Sequence, residues 1–323
     1  MYQLLKGTAF NLPLADASIQ TIITSPPYWG LRKYSDQNAD QYGLEKTPED
    51  YVLRTVEWLH EAWRVLKNDG ILWLNIGDSY YGSLKGAGGS GPSSEKQISN
   101  PGSYHDAEIL AVGSSLKHPI IRRKSLCLIP ERVAIAAQEM GWIVRSRCIW
   151  HKLNVMPHPV KDRPTNDVEH IWQLTKSEKY YYDREAVAVP AKPEYFSRYN
   201  SDFAAKAGTD DAMPNGSTYC PKGKRTVKTT RNLRTVWSFS NGQTKDAHFA
   251  TFNAELPRRC ILASTRAGDT VLDPFCGSGT TGLVAVGLER RFVGVDLAYH
   301  DVARKRIEAA LSQRASNSKR TGV

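Results

Sequence analysis

The sequence predicts an α/β fold in which helices cover a largely parallel sheet. Three observations support this class. Short apolar runs of strand length alternate with longer segments of helical periodicity, residues 256–313 repeat helix and strand in turn, and the chain of 323 residues is 41% apolar and 24% charged, which suits a globular protein. No apolar run reaches about eighteen residues, so neither a membrane span nor a secretory signal is expected, and a cytoplasmic protein is predicted.

The N-terminal part contains two strands, a helix and a third strand. The apolar runs YQLLKG (2–7) and IQTIITS (19–25) have strand length. A helix is predicted over 47–67, because Thr47 suits an N-cap, a proline follows it and acidic residues occupy the first turn. NDG should end this helix, and ILWLNIGD (71–78) is predicted as a buried strand.

The middle of the chain is less regular. Residues 82–115 are rich in glycine and serine, which predicts a long flexible insertion. A helix over 128–141 and a strand over 143–152 follow. VEHIWQLTKSEKYYYD (168–183) is predicted as a β-hairpin around KSEK, and residues 184–235, with weak periodicity and many basic residues, as a separate small lobe.

Regular patterns return at Leu256. In order they are a helix over 256–265, a strand over 269–275, a glycine turn over 276–280, a helix over 281–290, a strand over 291–297 and a helix over 298–313. This order is typical of parallel strands with crossover helices.

The glycine turn VLDPFCGSGTTG has the features of a ligand site. Gly277 and Gly279 let the backbone approach a ligand closely, and the following helix presents unpaired N–H groups. Asp296 ends the next strand, where a carboxylate can accept hydrogen bonds from both hydroxyls of a ribose. Gly282 completes GxGxxG, but Asp273 just before the turn suits a cationic amino group better than a pyrophosphate. The pattern favours S-adenosylmethionine over a dinucleotide.

The stretch TIITSPPYWG (21–30) ends an apolar strand in a rigid turn. Pro26 bars the helical region for Ser25, and neither proline donates a backbone hydrogen bond. An isolated SPPY is more often a simple turn, but here it accompanies a cofactor motif.

SPPY (25–28) together with DPFCGSGT (273–280) resembles the amino-group DNA methyltransferases, whose catalytic motif is (D/N/S)PP(Y/F). The serine form followed by tryptophan is typical of the N4-cytosine enzymes. The catalytic motif precedes the cofactor motif, as in the β-class, which implies a circularly permuted Rossmann-like methyltransferase sheet with a small target-recognition lobe. Thr8 stands where the family usually has Asp, and Asn253 where a Pro often follows Phe252.

The resemblance also implies a division of the chain. Residues 1–183 would form the catalytic part of the methyltransferase domain, with the insertion 82–115, and 184–235 the target-recognition region. Residues 236–314 would form the cofactor-binding part, and 315–323 a frayed basic tail.

The implied reaction is direct in-line transfer of a methyl group from S-adenosylmethionine to N4 of a flipped cytosine in duplex DNA. An exocyclic amino nitrogen is a poor nucleophile, because its lone pair is delocalised, so it needs acceptors for its N–H groups. The resemblance assigns that role to Ser25 Oγ and the Pro26 carbonyl, which Pro27 helps to hold, and gives Tyr28 the stacking face. The expected cofactor-binding residues are Asp273, Pro274, Phe275, Gly277, Ser278, Gly279, Thr280, Asp296 and Phe252.

Charge also indicates nucleic acid. The net charge of +10 attracts polyanions, and double-stranded DNA is the expected partner. The candidate DNA-binding residues are Trp29, Lys222, Lys224, Arg225, Lys228, Arg231 and Arg234.

The five cysteines lack CxxC spacing, so reduced thiols and no metal site are expected.

Several alternatives stay open. The first is an N6-adenine DNA methyltransferase of the same fold, and the second is a non-catalytic DNA-binding protein. A 5-methylcytosine enzyme is disfavoured, because its nucleophile is usually the thiolate of a Pro-Cys pair and none of the five cysteines follows a proline. The resemblance implies a prokaryotic or phage-encoded protein. It leaves open whether the protein is a monomer or a homodimer, and whether a cognate restriction endonuclease is encoded nearby.

Overall fold

A computed structural model describes residues 1–30, 41–81, 118–155, 160–191, 230–240 and 253–321, with side chains up to residue 312. The chain divides into two compact units. The larger comprises Met1–Asp183 and Arg234–Val323, and the smaller Arg184–Leu233.

The larger unit is a layered α/β structure. Its strands are β1 (Tyr2–Lys6), β2 (Ile19–Thr24), β3 (Leu66–Ile76), β4 (Ile143–Lys152), β5 (Val168–Thr175), β8 (Val236–Phe239), β9 (Thr270–Asp273) and β10 (Arg291–Asp296). Its helices are α1 (Pro48–Val65), α2 (Ile129–Glu139), α3 (Glu255–Ser264), α4 (Thr280–Gly287) and α5 (His300–Thr321). In the smaller unit, β6 (Val189–Pro190) pairs antiparallel with β7 (Thr230–Arg231).

The strands of the larger unit form one sheet in the order β1-β10-β9-β2-β3-β5-β4-β8. Neighbours from β1 to β3 are parallel, whereas β5 runs antiparallel to both β3 and β4, and β8 is parallel to β4. The predicted α/β fold is confirmed. Because β9 and β2 are adjacent and parallel, their carboxyl ends meet although they lie far apart in the chain.

The core lies on both faces of the parallel strands. Every residue of β2 is buried, as expected for a central parallel strand. Helix α1 begins as predicted, since Thr47 Oγ1 accepts from Asp50 N and Pro48 is the first helical residue. Its buried face includes Trp58 and Leu59, which have no exposed surface.

The predicted hairpin over 168–183 is wrong. Only its first half is a strand, β5, and both edges of that strand are already paired, with β3 and β4. A returning strand has no free edge there. The chain instead crosses to other parts of the unit, where Tyr181 N donates to Asp69 O at 2.9 Å and Asp183 N donates to Ala263 O at 2.8 Å.

Two predicted boundaries also differ. Helix α1 ends at Val65, and β3 begins at once, so the segment NDG lies within the strand instead of ending the helix. A Cβ on Gly70 would lie 2.7 Å from Gln20 O, which shows how closely β2 and β3 approach here. Helix α5 continues to Thr321, past the predicted end at residue 313 and through most of the expected frayed tail. The predicted insertion 82–115 lies outside the described residues.

Candidate active site

The glycine turn joins β9 to α4 at the carboxyl end of the sheet. Gly279 N donates to Cys276 O at 2.9 Å, and both Gly277 and Gly279 have positive φ, at +49° and +77°. A Cβ on Gly279 would lie 2.9 Å from Cβ of Ala303 in α5. Glycine at 279 is therefore required by both backbone conformation and the close approach of α5.

Asp296 lies beside this turn. It ends β10, and its Oδ2 accepts from Gly277 N at 2.8 Å while Oδ1 accepts from Ala298 N at 3.0 Å. The residue is half-buried. A carboxylate has about four acceptor positions, so this one can hold the turn and still accept hydrogen bonds from ligand hydroxyls.

Asp273 has a different environment from the one predicted. It is 1% exposed, its Oδ1 accepts from Thr24 Oγ1 at 2.8 Å and from Phe275 N at 3.2 Å, and its Oδ2 accepts from Thr281 Oγ1 at 2.7 Å. Burial raises its pKa to about 6. The buried side chain, unlike that of Asp296, presents almost no surface to a cofactor amino group, so a direct contact stays a prediction that its burial does not favour. The carboxylate instead connects β2, the glycine turn and α4.

The remaining predicted cofactor residues lie along the same turn. Phe275 packs in the core, with its ring centroid 5.7 Å from that of Tyr42 and 5.4 Å from that of Trp58. Arg306 of α5 donates to Ser278 O at 2.6 Å. Thr280 is the first residue of α4, Pro274 follows Asp273 directly, and Phe252 lies outside the described residues.

The SPPY segment follows β2 and is held from several sides. Ser25 is half-buried and Pro26 is buried. The Pro27 carbonyl accepts from Tyr51 Oη of α1 at 2.9 Å, and a Cβ on Gly43 would lie 3.0 Å from Pro27 Cβ. The turn after β2 is thus fixed by its prolines and by its neighbours.

Tyr28 turns its hydroxyl towards the protein. Ser25 Oγ lies 3.2 Å from Tyr28 Oη, and a Cβ on Gly77 would lie 2.7 Å from Tyr28 Cε2. The hydroxyl donates to Glu169 Oε2 at 2.6 Å, and Asn75 Nδ2 lies 2.8 Å from both of these oxygens. Tyr28 is therefore anchored at its polar end and packed along one ring edge.

Three residues at this site were missed from the sequence: Asn75, Lys152 and Glu169. Each lies in a strand, β3, β4 or β5, without a recognisable motif. A polar residue inside an apolar strand is the only signal that could have found Asn75 and Glu169, and it is common in strands that have no such role.

The structure describes three of the seven candidate DNA-binding residues. Trp29 is 3% exposed, and its Nε1 donates to Glu45 O at 2.9 Å, so its ring lies in the core and a DNA contact stays a prediction that its burial does not favour. Arg231 lies in β7, and Arg234 is exposed, its carbonyl accepting from Trp237 Nε1. The other four, Lys222, Lys224, Arg225 and Lys228, lie outside the described residues.

The two sequence motifs meet at one edge of the sheet. The hydrogen bond between Thr24 and Asp273 joins residues 249 positions apart, one immediately before SPPY and the other at the start of DPFCGSGT.

The four cysteines in the described part of the chain are free and buried. In the same part, no group of three or more His, Cys, Asp or Glu side chains could hold a metal ion, and no helix is long and apolar enough to cross a membrane.

Comparison with known proteins agrees with this arrangement. The profile of the DNA methylase family N6_N4_Mtase matches residues 19–304. The type II methyltransferase M.Cfr9I of Citrobacter freundii is 40% identical over 94% of this chain and 87% of its own length. M.SmaI of Serratia marcescens, also a type II methyltransferase, is 38% identical over 88% of this chain and 83% of its own length.

Solved structures share the fold. The PvuII DNA methyltransferase (cytosine-N4-specific) superposes with a TM-score of 0.60 at 19% identity, over 94% of this chain and 87% of that one. TTHA0409 of Thermus thermophilus, complexed with S-adenosyl-L-methionine, has a TM-score of 0.56 at 20% identity, over 96% of this chain and 94% of that one. With a family profile that spans most of the sequence and close relatives along nearly its full length, the chain belongs to the N6/N4 family of DNA methyltransferases.

Proposed function

We propose that the protein transfers a methyl group from S-adenosylmethionine to N4 of cytosine at specific sites in duplex DNA. The observation that carries the proposal is the meeting of the serine form of the catalytic tetrapeptide with the glycine turn at one edge of the sheet, joined by the Thr24–Asp273 hydrogen bond. Membership of the N6/N4 family supports methylation of an amino group in DNA.

The residues at the turn fit S-adenosylmethionine. Gly277 and Gly279 allow the positive φ angles of the turn, and the Asp296 carboxylate has acceptor capacity beyond its two backbone partners. When bound, the cofactor supplies an electrophilic methyl group on a sulfonium. Asp296 would accept hydrogen bonds from its ribose, and Asp273 would keep the turn in place from behind.

The SPPY segment would prepare the amino nitrogen. Ser25 Oγ and the Pro26 carbonyl would accept its two N–H groups, which favours a more tetrahedral nitrogen with an available lone pair. The contact between Tyr51 and Pro27 keeps the backbone of this segment in place before substrate arrives, so little reorganisation is needed. Tyr28, anchored through its hydroxyl, would offer a ring face to the flipped base.

Serine at position 25 and the following Trp29 favour cytosine over adenine. The cytosine-N4-specific structural neighbour is consistent with this preference, but at 19% identity it supports the fold and not the base. The relatives named as type II methyltransferases suggest that a restriction endonuclease of the same specificity is encoded nearby.

The Ser25→Ala variant tests the proposed active site. We expect at least an approximately hundredfold loss of labelled methyl transfer into duplex DNA, because one acceptor for the amino group is removed. The affinity for S-adenosylmethionine, measured by calorimetry, should stay within about twofold, because the cofactor turn is untouched.

Ser18→Ala provides the matched control, because its hydroxyl only donates to Ala15 O in the turn before β2. This variant should retain full transfer. Unchanged turnover in Ser25→Ala would exclude the acceptor role of that hydroxyl, and label found in RNA or protein but not in DNA would contradict the proposed substrate.

A further inference from the structure

A largely buried charged pair contacts the SPPY segment through Tyr28. Glu169 of β5 forms an ion pair through Oε1 with Lys152 Nζ of β4, and their side chains are 13% and 21% exposed. The other oxygen, Oε2, accepts from Tyr28 Oη at 2.6 Å and from Asn75 Nδ2 at 2.8 Å. A buried carboxylate is costly unless it is paired and hydrogen-bonded, and this one is both.

The chemistry of these groups fixes the direction of the hydrogen bond between Tyr28 and Glu169. An ionised carboxylate can only accept, so the Tyr28 hydroxyl must direct its hydrogen to Glu169. Asn75 must present its nitrogen to these oxygens, because its amide oxygen would otherwise face the carboxylate and be repelled. Tyr28 Oη can therefore only accept from its other neighbours.

The direction of the hydrogen bond between Ser25 and Tyr28 is fixed in the same way. Its Oγ lies 3.2 Å from Tyr28 Oη, which has no hydrogen left to donate, so the Ser25 hydroxyl is the donor. The hydrogen of Ser25 thus points into the protein. Asn75 Nδ2 lies 3.4 Å from Ser25 Oγ, a long contact that leaves acceptor capacity on that oxygen.

We propose that Glu169 is a positioning residue for methyl transfer. Acting through Tyr28, it orients the Ser25 hydroxyl so that the serine oxygen meets the substrate amino group as an acceptor and never as a donor. Lys152 is part of the device, because it pairs with Glu169 and occupies its second oxygen. This inference rests on the proposed function, in which Ser25 accepts a hydrogen bond from the amino group.

The Glu169→Gln variant reverses the arrangement. Lys152 can only donate, so the new amide would turn its oxygen to Lys152 and its NH2 group to Tyr28. The Tyr28 hydroxyl would then no longer donate to residue 169, and the Ser25 hydrogen would no longer be held towards Tyr28 and could point to the substrate. We expect kcat to fall at least about tenfold, the loss of one oriented hydrogen bond, with the affinity for S-adenosylmethionine unchanged.

Two further variants separate this role from a merely structural one. In a Tyr28→Phe background the connecting hydroxyl is absent, so adding Glu169→Gln should cause no further loss of kcat. In Lys152→Met/Glu169→Gln the amide is free to turn its oxygen to Tyr28, and kcat should recover relative to Glu169→Gln alone. Glu178→Gln, an exposed residue after β5, is the control and should behave as wild type.

The outcomes are distinguishable from failure of the proposed function. Wild-type kcat in Glu169→Gln, or the same fold-loss with and without the Tyr28 hydroxyl, would overturn the positioning role while methylation by the wild type stands. If Glu169→Gln does not fold, the Lys152→Met/Glu169→Gln variant still decides, because a folded double variant that has lost kcat contradicts the proposal. Absence of DNA methylation by the wild-type protein would instead refute the proposed function itself.

Discussion

Replacing Asp273 by asparagine should change the pH dependence of stability. In the folded protein, burial raises the pKa of this carboxyl to about 6, against an ordinary value of 3.8. The folded state therefore binds the proton more tightly than the unfolded chain, so this carboxyl lowers the free energy of unfolding as the pH rises from about 4 to above 6. The side chain of the Asp273→Asn variant carries no titrating proton, so the variant lacks this effect.

The magnitude follows from the two pKa values. Full ionisation of this carboxyl lowers the free energy of unfolding by about 3 kcal/mol relative to the protonated form, and about half of that decrease is already present at pH 5. Between pH 5 and pH 8, the free energy of unfolding of the wild type should fall by about 1.4 kcal/mol relative to that of Asp273→Asn. Lost or altered hydrogen bonds to Thr24 and Thr281 also change the free energy of unfolding of the variant, but by an amount that does not depend on pH in this range.

Urea unfolding at several pH values measures this difference directly. Asp301→Asn removes an exposed carboxylate of α5 and controls for the change in net charge. A stability difference between wild type and Asp273→Asn that is constant from pH 5 to pH 8, or that changes with the opposite sign, would refute the account of Asp273 as a buried carboxylate held by hydroxyl groups.

Two other substitutions probe the site. Gly77→Ala would place a methyl group 2.7 Å from Tyr28 Cε2, so the ring must move. Steady-state assays should then show kcat reduced about tenfold or more. Unchanged kcat would mean that the position of the ring is not critical. Asp296→Asn should weaken binding of S-adenosylmethionine at least about tenfold in calorimetry, because a charged acceptor is lost; wild-type affinity would remove Asp296 from the cofactor site.

The sequence predicts the positions of the two motifs well, for a physical reason. Each motif directly follows a short apolar strand, and parallel strands place their carboxyl ends at one edge of a sheet. SPPY after Thr24 and the glycine turn after Asp273 therefore had to meet once β2 and β9 were neighbours. The start of helix α1 was equally clear, because its N-cap and first-turn proline are local sequence signals.

Features that depend on pairing between distant segments were not predictable. The hairpin over 168–183 failed because β5 is flanked by β3 and β4, which no local pattern reveals. The hydrogen bond between Asp273 and Thr24 could not be predicted for the same reason, since the two residues lie near opposite ends of the chain. Glu169 and Lys152 become a pair only through the register of β4 and β5.

The most direct test of the proposed function is to identify the methylated nucleoside. The purified protein is incubated with S-adenosylmethionine and unmethylated duplex DNA of mixed sequence, and the DNA is digested and analysed by mass spectrometry. We expect N4-methylcytosine. N6-methyladenine would contradict the assignment of the base, and DNA without any methylated nucleoside would contradict the proposed function as a whole.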